Sequence, residues 1–150
     1  MKTLAYVLLG FVLIFCLTGI ASSNVEASNY LGDFCWQLTP TYADPGWPTY
    51  SVKLGIFDMG GGHYYASGKG HGGAGHGNVE IDGNNIVIAL TFSGASEPYE
   101  MMAGTWHIIL DISTLNGTWH SIGFNHEDED GISKADLNYG KGIATFIQCP

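Results

Sequence analysis

Two-residue alternation, cut at short intervals by chain breakers, constrains this chain more than any other feature. Ile86, Ile88 and Leu90 alternate with Val87, Ala89 and Thr91, the spacing that puts side chains on opposite faces of a strand. Comparable runs occupy residues 33–39, 50–58, 63–70, 77–82, 86–93, 105–112, 117–125 and 142–149. Between them stand Pro40, Pro45-Gly46, Gly60-Gly61-Gly62, Asp82-Gly83, Asn116-Gly117 and Asp130-Gly131. Such residues interrupt ladders and supply the positive φ that tight turns need. No helical periodicity competes beyond residue 27, so the chain reads as all-β with eight strands.

Traced as a plain meander, these strands sort their connections by length. Segments 40–49, 71–76, 94–104 and 126–141 fall at one end, and 59–62, 83–85 and 113–116 at the other. A loop-rich mouth over a tight floor is the expectation, as in closed up-and-down barrels that hold ligands. With an even strand count, the first and last strands run antiparallel and can pair. Cys35 and Cys149 then lie at the same end on neighbouring outer positions, where a disulfide can form and close the two free edges. The cysteines are about 114 residues apart. A bridge of that span is worth ~4–5 kcal/mol in the simple loop model. The expected fold is an eight-stranded antiparallel up-and-down barrel closed by first-strand/last-strand pairing and one disulfide.

The segment before this domain reads as an address. Lys2 precedes an apolar run over residues 4–20, followed by Ala21, Ser22 and Ser23 and then Val25-Glu26-Ala27. That is the order of a secretory signal peptide, with Ala21, Ser23 and Ala27 all compatible with cleavage. An uncleaved anchor is the alternative; Gly10, Thr18 and Gly19 within the run favour cleavage. Residues 1–27 are therefore assigned as signal peptide and 28–150 as one domain, secreted or periplasmic. Cleavage removes Cys16 and leaves Cys35 and Cys149, which pair in an oxidising compartment.

Charge excludes several functions. The chain carries 5 basic and 14 acidic side chains for a net −9, the wrong sign for nucleic acid. It has no arginine for bidentate anion clamps. Disorder is excluded by 45% hydrophobic and 13% aromatic content. Association with a membrane is not expected once the signal is removed; an outer-membrane barrel would need longer strands and an apolar outer band.

Alternation assigns an inward face: Trp36 and Leu38; Val52, Leu54 and Ile56; Tyr64 and Ala66; Val79 and Ile81; Ile86, Ile88 and Leu90; Trp106, Ile108 and Leu110; His120 and Ile122; Ala144 and Phe146. Gln37, Lys53, His63, Lys69, Glu80, His107, Asp111 and Thr145 face water. The first strand, Leu31-Gly32-Asp33-Phe34-Cys35-Trp36-Gln37-Leu38, resembles that of calycin barrels, the lipocalins and avidins, whose first-strand Trp plugs the floor. The resemblance implies the barrel and an apolar ligand cavity, and carries over no individual functional residue.

Candidate chemistry is sparse. His63, His71 and His76 flank a Gly-rich run, but hairpin geometry separates His63 from the other two, so no metal is assigned. Glu127-Asp128-Glu129-Asp130-Gly131 misses the EF-hand spacing and reads first as a solvated acidic loop. Tyr42, Trp47, Tyr99, Met101 and Met102 belong to the expected mouth, as ligand contacts or as a lid. His120 is the one ionisable side chain placed inward, with Trp119 the inward residue if the register slips by one. Asn116-Gly117-Thr118 is a formal glycosylation sequon that also reads as a turn.

The reading adopted is an exported barrel binding a small apolar or aromatic molecule at its loop-rich end, through Trp36, Trp47, Tyr64, Met101, Trp106 and His120. It needs no cofactor and no catalysis. The alternative is a filled barrel with a structural, adhesion or protein-interaction role, for which an oligomer is possible. An enzyme of the dirigent-like or cyclase-like kind would need ionisable groups inside, where only His120 is available.

Overall fold

The computed structural model describes residues 28–44, 47–70, 73–96, 99–129 and 132–150. Eight strands follow in order: β1 (Asn29–Asp44), β2 (Tyr50–Asp58), β3 (Tyr64–Gly70), β4 (Gly73–Asp82), β5 (Asn85–Ser96), β6 (Tyr99–Asp111), β7 (Gly117–Glu129) and β8 (Ile132–Ile147). Each pairs antiparallel with its neighbour and β1 pairs with β8, so the sheet is a closed barrel. Opposition of Trp36 to Phe146 and of Leu38 to Ala144 closes the seam. Beside it Cys35 and Cys149 form the expected disulfide, with Cα atoms 5.2 Å apart. The proposed signal segment, with Cys16, lies outside the described residues, as do His71 and Asp130-Gly131.

The lengths of the connections differ from expectation. Segments 73–76, 94–96, 99–104, 126–129 and 132–141 are strand. They are polar or glycine-rich and do not alternate cleanly, yet their backbones pair, from Asp44 opposite Tyr139 to Glu129 opposite Ile132. The expected loop-rich mouth is therefore built largely of extended hairpins. The opposite end carries turns at 59–63, 83–84 and 112–116; we call it the turn end, and its counterpart the hairpin end. Longer strands also remove one objection to a membrane barrel. The interior is apolar, and the outer face carries exposed Lys53, Lys69, Glu80 and Asp111 beside exposed Ile109, Ile122 and Ile143.

The core follows the alternation. Leu38, Ala66, Ile88, Ile108, Leu110 and Ala144 are all but sealed from solvent. β7 is the correction: Trp119 and Ser121 point in and are buried, whereas His120 and Ile122 are exposed. Both faces of β7 carry large apolar residues, so its own pattern does not fix the register. Its neighbour does: Trp119 and Ser121 lie opposite Gly142 and Gly140, whose missing side chains leave room for an indole. A Cβ on Gly140 would lie 2.9 Å from the Trp119 ring. Glycine has a second use at Gly68 and Gly77, where a Cβ would lie 1.9 Å from a backbone oxygen of the adjacent strand. Only glycine permits that approach.

Candidate functional site

At the turn end the barrel opens into an apolar bowl of about 260 Å³. β1 supplies Leu31, Phe34 and Trp36, and β4 and β5 supply Val79, Ile81, Ile86 and Ile88. Ile56, Tyr64, Leu110 and Leu115 complete it. These side chains converge because positions two apart on a strand share a face, and Ile81, Ile86 and Leu110 stand in register across three strands. Every lining side chain except Trp36 and Tyr64 is purely hydrocarbon. Ile81 and Leu31 stay 53% and 48% exposed at the opening, so the bowl presents bare apolar surface to water.

Trp36 forms one wall and is 2% exposed. Its ring lies 6.2 Å from that of Phe34 and 6.0 Å from that of Phe146. Its indole N–H donates to the Leu115 carbonyl at 2.8 Å, so it has no donor left for a guest. Ile112 N–H donates to the Asn84 carbonyl at 2.8 Å and joins two of the turns at the rim. The Asp111 carboxylate accepts from Ser113 N–H at 2.9 Å and Thr114 N–H at 3.0 Å. The Ser113 hydroxyl, those two N–H groups and the Thr114 hydroxyl together hold Asp111 below the usual carboxylate range.

The hairpin end holds an aromatic cluster instead. Trp47 lies parallel to Trp119, with ring centroids 5.9 Å apart and 7° between planes. Tyr50 packs on Trp106 and Trp119, and Phe92 on Trp106 at 5.0 Å. Burial pushes the Tyr50 phenol well above its ordinary range.

The six ligand residues expected from sequence are thus divided. Trp36 and Tyr64 line the bowl; Trp47 and Trp106 belong to the opposite cluster, where Trp47 stacks on Trp119. Met101 and His120 join neither, because both point outward and are exposed. Met102, next to Met101, is the buried one. Phe34, Leu115 and the β4–β5 aliphatics were not singled out as ligand residues. Alternation places Ile81 and Ile86 inward, and their position next to the Asp82-Gly83 turn is the signal in the sequence that they ring an opening.

The histidine and acidic candidates do not come together among the described residues. His63 sits in the turn 59–63 and His76 packs beside Tyr65 on β4, so the two do not meet. Among the described residues no three His, Cys, Asp or Glu side chains gather as a metal site. Glu127, Asp128 and Glu129 lie on the β7 backbone; their side chains are outside the described residues. Asn116 works in its turn, where its side-chain oxygen accepts from Phe146 N–H at 2.7 Å. Outside the barrel a groove along β1–β3 carries the Lys53–Asp33 ion pair at 2.8 Å. Lys53 first, and then the Tyr30 hydroxyl, lower the Asp33 pKa there. Compared with known proteins, the chain matches no family model, no curated protein and no solved structure.

Proposed function

We propose that this chain is an exported carrier or sensor that takes one small, neutral, apolar molecule into the turn-end bowl. The observation that carries the reading is the bowl itself, about 260 Å³ with a hydrocarbon lining, open to solvent. A sealed apolar cavity of about 150 Å³ is enough for benzene, so a two-ring or substituted one-ring compound is the matching size. With roughly 10 non-hydrogen atoms contributing about 0.5 kcal/mol each, such a ligand would bind with a dissociation constant on the order of 0.1 mM. The disulfide and the signal-like first segment support export.

Calorimetric titration with naphthalene tests this reading. One site is expected, weakened at least tenfold by Val79→Phe, which fills the bowl, and unchanged by His120→Ala. No binding, or binding indifferent to Val79→Phe in a folded variant, overturns it.

A protein-interaction role is the second reading, favoured by the outer face of β7 and β8. Ile122, opposite Tyr139, is 50% exposed and Leu137 is 73% exposed. Tyr42 extends this apolar area through its ring contact with Tyr139. A solution mass above that of the monomer, reduced by Leu137→Glu, supports this reading.

A further inference from the structure

The hairpin-end cluster contains a concentration of polar atoms that packing alone does not explain. Trp106 Nε1, Trp119 Nε1, Ser121 Oγ and Asn138 Nδ2 are all buried without a hydrogen-bond partner among the described residues. Their residues are 7%, 1%, 2% and 3% exposed. They are also neighbours: Trp106 lies directly opposite Ser121, Ser121 follows Trp119 by two, and Asn138 lies opposite Gly123. Buried polar groups are nearly always paired, and leaving one without a partner destabilises the fold. Four on three adjacent strands mark a place where something else supplies the partners.

We propose that these four residues form a second binding site, distinct from the bowl, for a small uncharged planar molecule bearing carbonyl-type acceptors, such as a lactam or amide. Three of the four groups are N–H donors and the fourth is a hydroxyl, which matches acceptor oxygens. None is charged, which disfavours a carboxylate that would enter without a counter-charge. Planarity follows from the walls: Trp47, Tyr50, Phe92, Trp106 and Trp119 offer ring faces on which flat molecules stack. Trp47 is half-buried and stacks on Trp119, so a guest enters beside it or in its place on Trp119. The void beside Trp106 and Phe92 is only about 10 Å³, room for one water and no more, and its other walls come from β2–β5, not from Trp119, Ser121 or Asn138. The proposed binding therefore includes a shift of the Trp47 ring away from Trp119, on which it stacks in the ligand-free protein.

The test compares quinolinone with naphthalene, which has the same outline and no acceptor, in the Val79→Phe background where the bowl is filled. The expected result is a shift of tryptophan emission and a preference for quinolinone of roughly tenfold or more. That preference should disappear in both Ser121→Ala and Asn138→Leu. Both substitutions should leave the melting temperature of the ligand-free protein unchanged or raise it, because each removes an orphan atom. Equal affinity for the two compounds, no binding of either, or a preference that survives both substitutions overturns the proposal. A marked fall in melting temperature for Asn138→Leu does so too, since it means that internal water already satisfies the amide.

Discussion

The Trp36 indole donates to the Leu115 carbonyl at 2.8 Å, joining the first strand to a turn 79 residues later. That bond fixes the ring forming one wall of the bowl to the turn that forms part of its rim. Leu115 accepts it from a left-handed backbone conformation, φ 57°, which costs a leucine about 1 kcal/mol. Leu115→Gly should relieve that cost and lose the side chain that lines the bowl. The expected outcome in urea denaturation is a stability change within about 1 kcal/mol, together with weaker naphthalene binding. Trp36→Ala, by contrast, should cost about 3–5 kcal/mol.

The same turn should be acid-sensitive. Hydrogen bonds from Ser113 and Thr114 hold the Asp111 pKa below its ordinary value, so they favour the folded state when the carboxylate is charged. This contribution is present above the ordinary carboxylate pKa and is lost as pH falls through the lowered one. The melting temperature of Asp111→Ala should therefore lie below that of the unaltered protein at neutral pH and converge on it in acid. A gap that stays constant with pH would contradict this.

Breaking the Cys35–Cys149 bridge should release the β1–β8 seam. The linked residues are 114 apart, and the loop model assigns such a link ~4–5 kcal/mol. Denaturation of the Cys35→Ser, Cys149→Ser double variant, measured against the oxidised protein, gives the number. A loss below about 1 kcal/mol would mean that strand pairing alone closes the barrel.

Glycines in the strands should divide by what a methyl group would strike. At Gly77 a Cβ would meet the Ala89 carbonyl at 1.9 Å; at Gly75 the nearest atom is 3.2 Å away. Gly77→Ala is expected to cost more than about 2 kcal/mol and Gly75→Ala clearly less, as urea midpoints will report.

What the sequence disclosed follows from where alternation was strong. Cys35, Cys149 and an even strand count sufficed for the closed barrel, because pairing parity and a shared end are discrete properties. β5, with Ile86, Ile88 and Leu90, was legible for the same reason. The hairpin end was not legible. Ser133, Lys134, Ala135 and Asp136 show no apolar alternation in the sequence, and their strand comes from backbone pairing with β7. The register of β7 was hidden because its inward positions, Trp119, Ser121 and Gly123, shrink along the strand while Ile122 and Phe124 face out. The location of the bowl followed neither from loop length nor from any single residue. It depends on which end the rings fill, and Trp47, Tyr50, Phe92, Trp106 and Trp119 fill the other one.

Amide chemical-shift mapping with naphthalene distinguishes a ligand in the turn-end bowl from one bound anywhere else on the barrel. The shifted amides should cluster on Phe34, Ile56, Val79, Ile81, Ile88 and Leu115, around the turn-end opening. Shifts confined to Trp47, Tyr50, Trp106 and Ser121, or spread over the outer face of β7 and β8, would contradict a turn-end site.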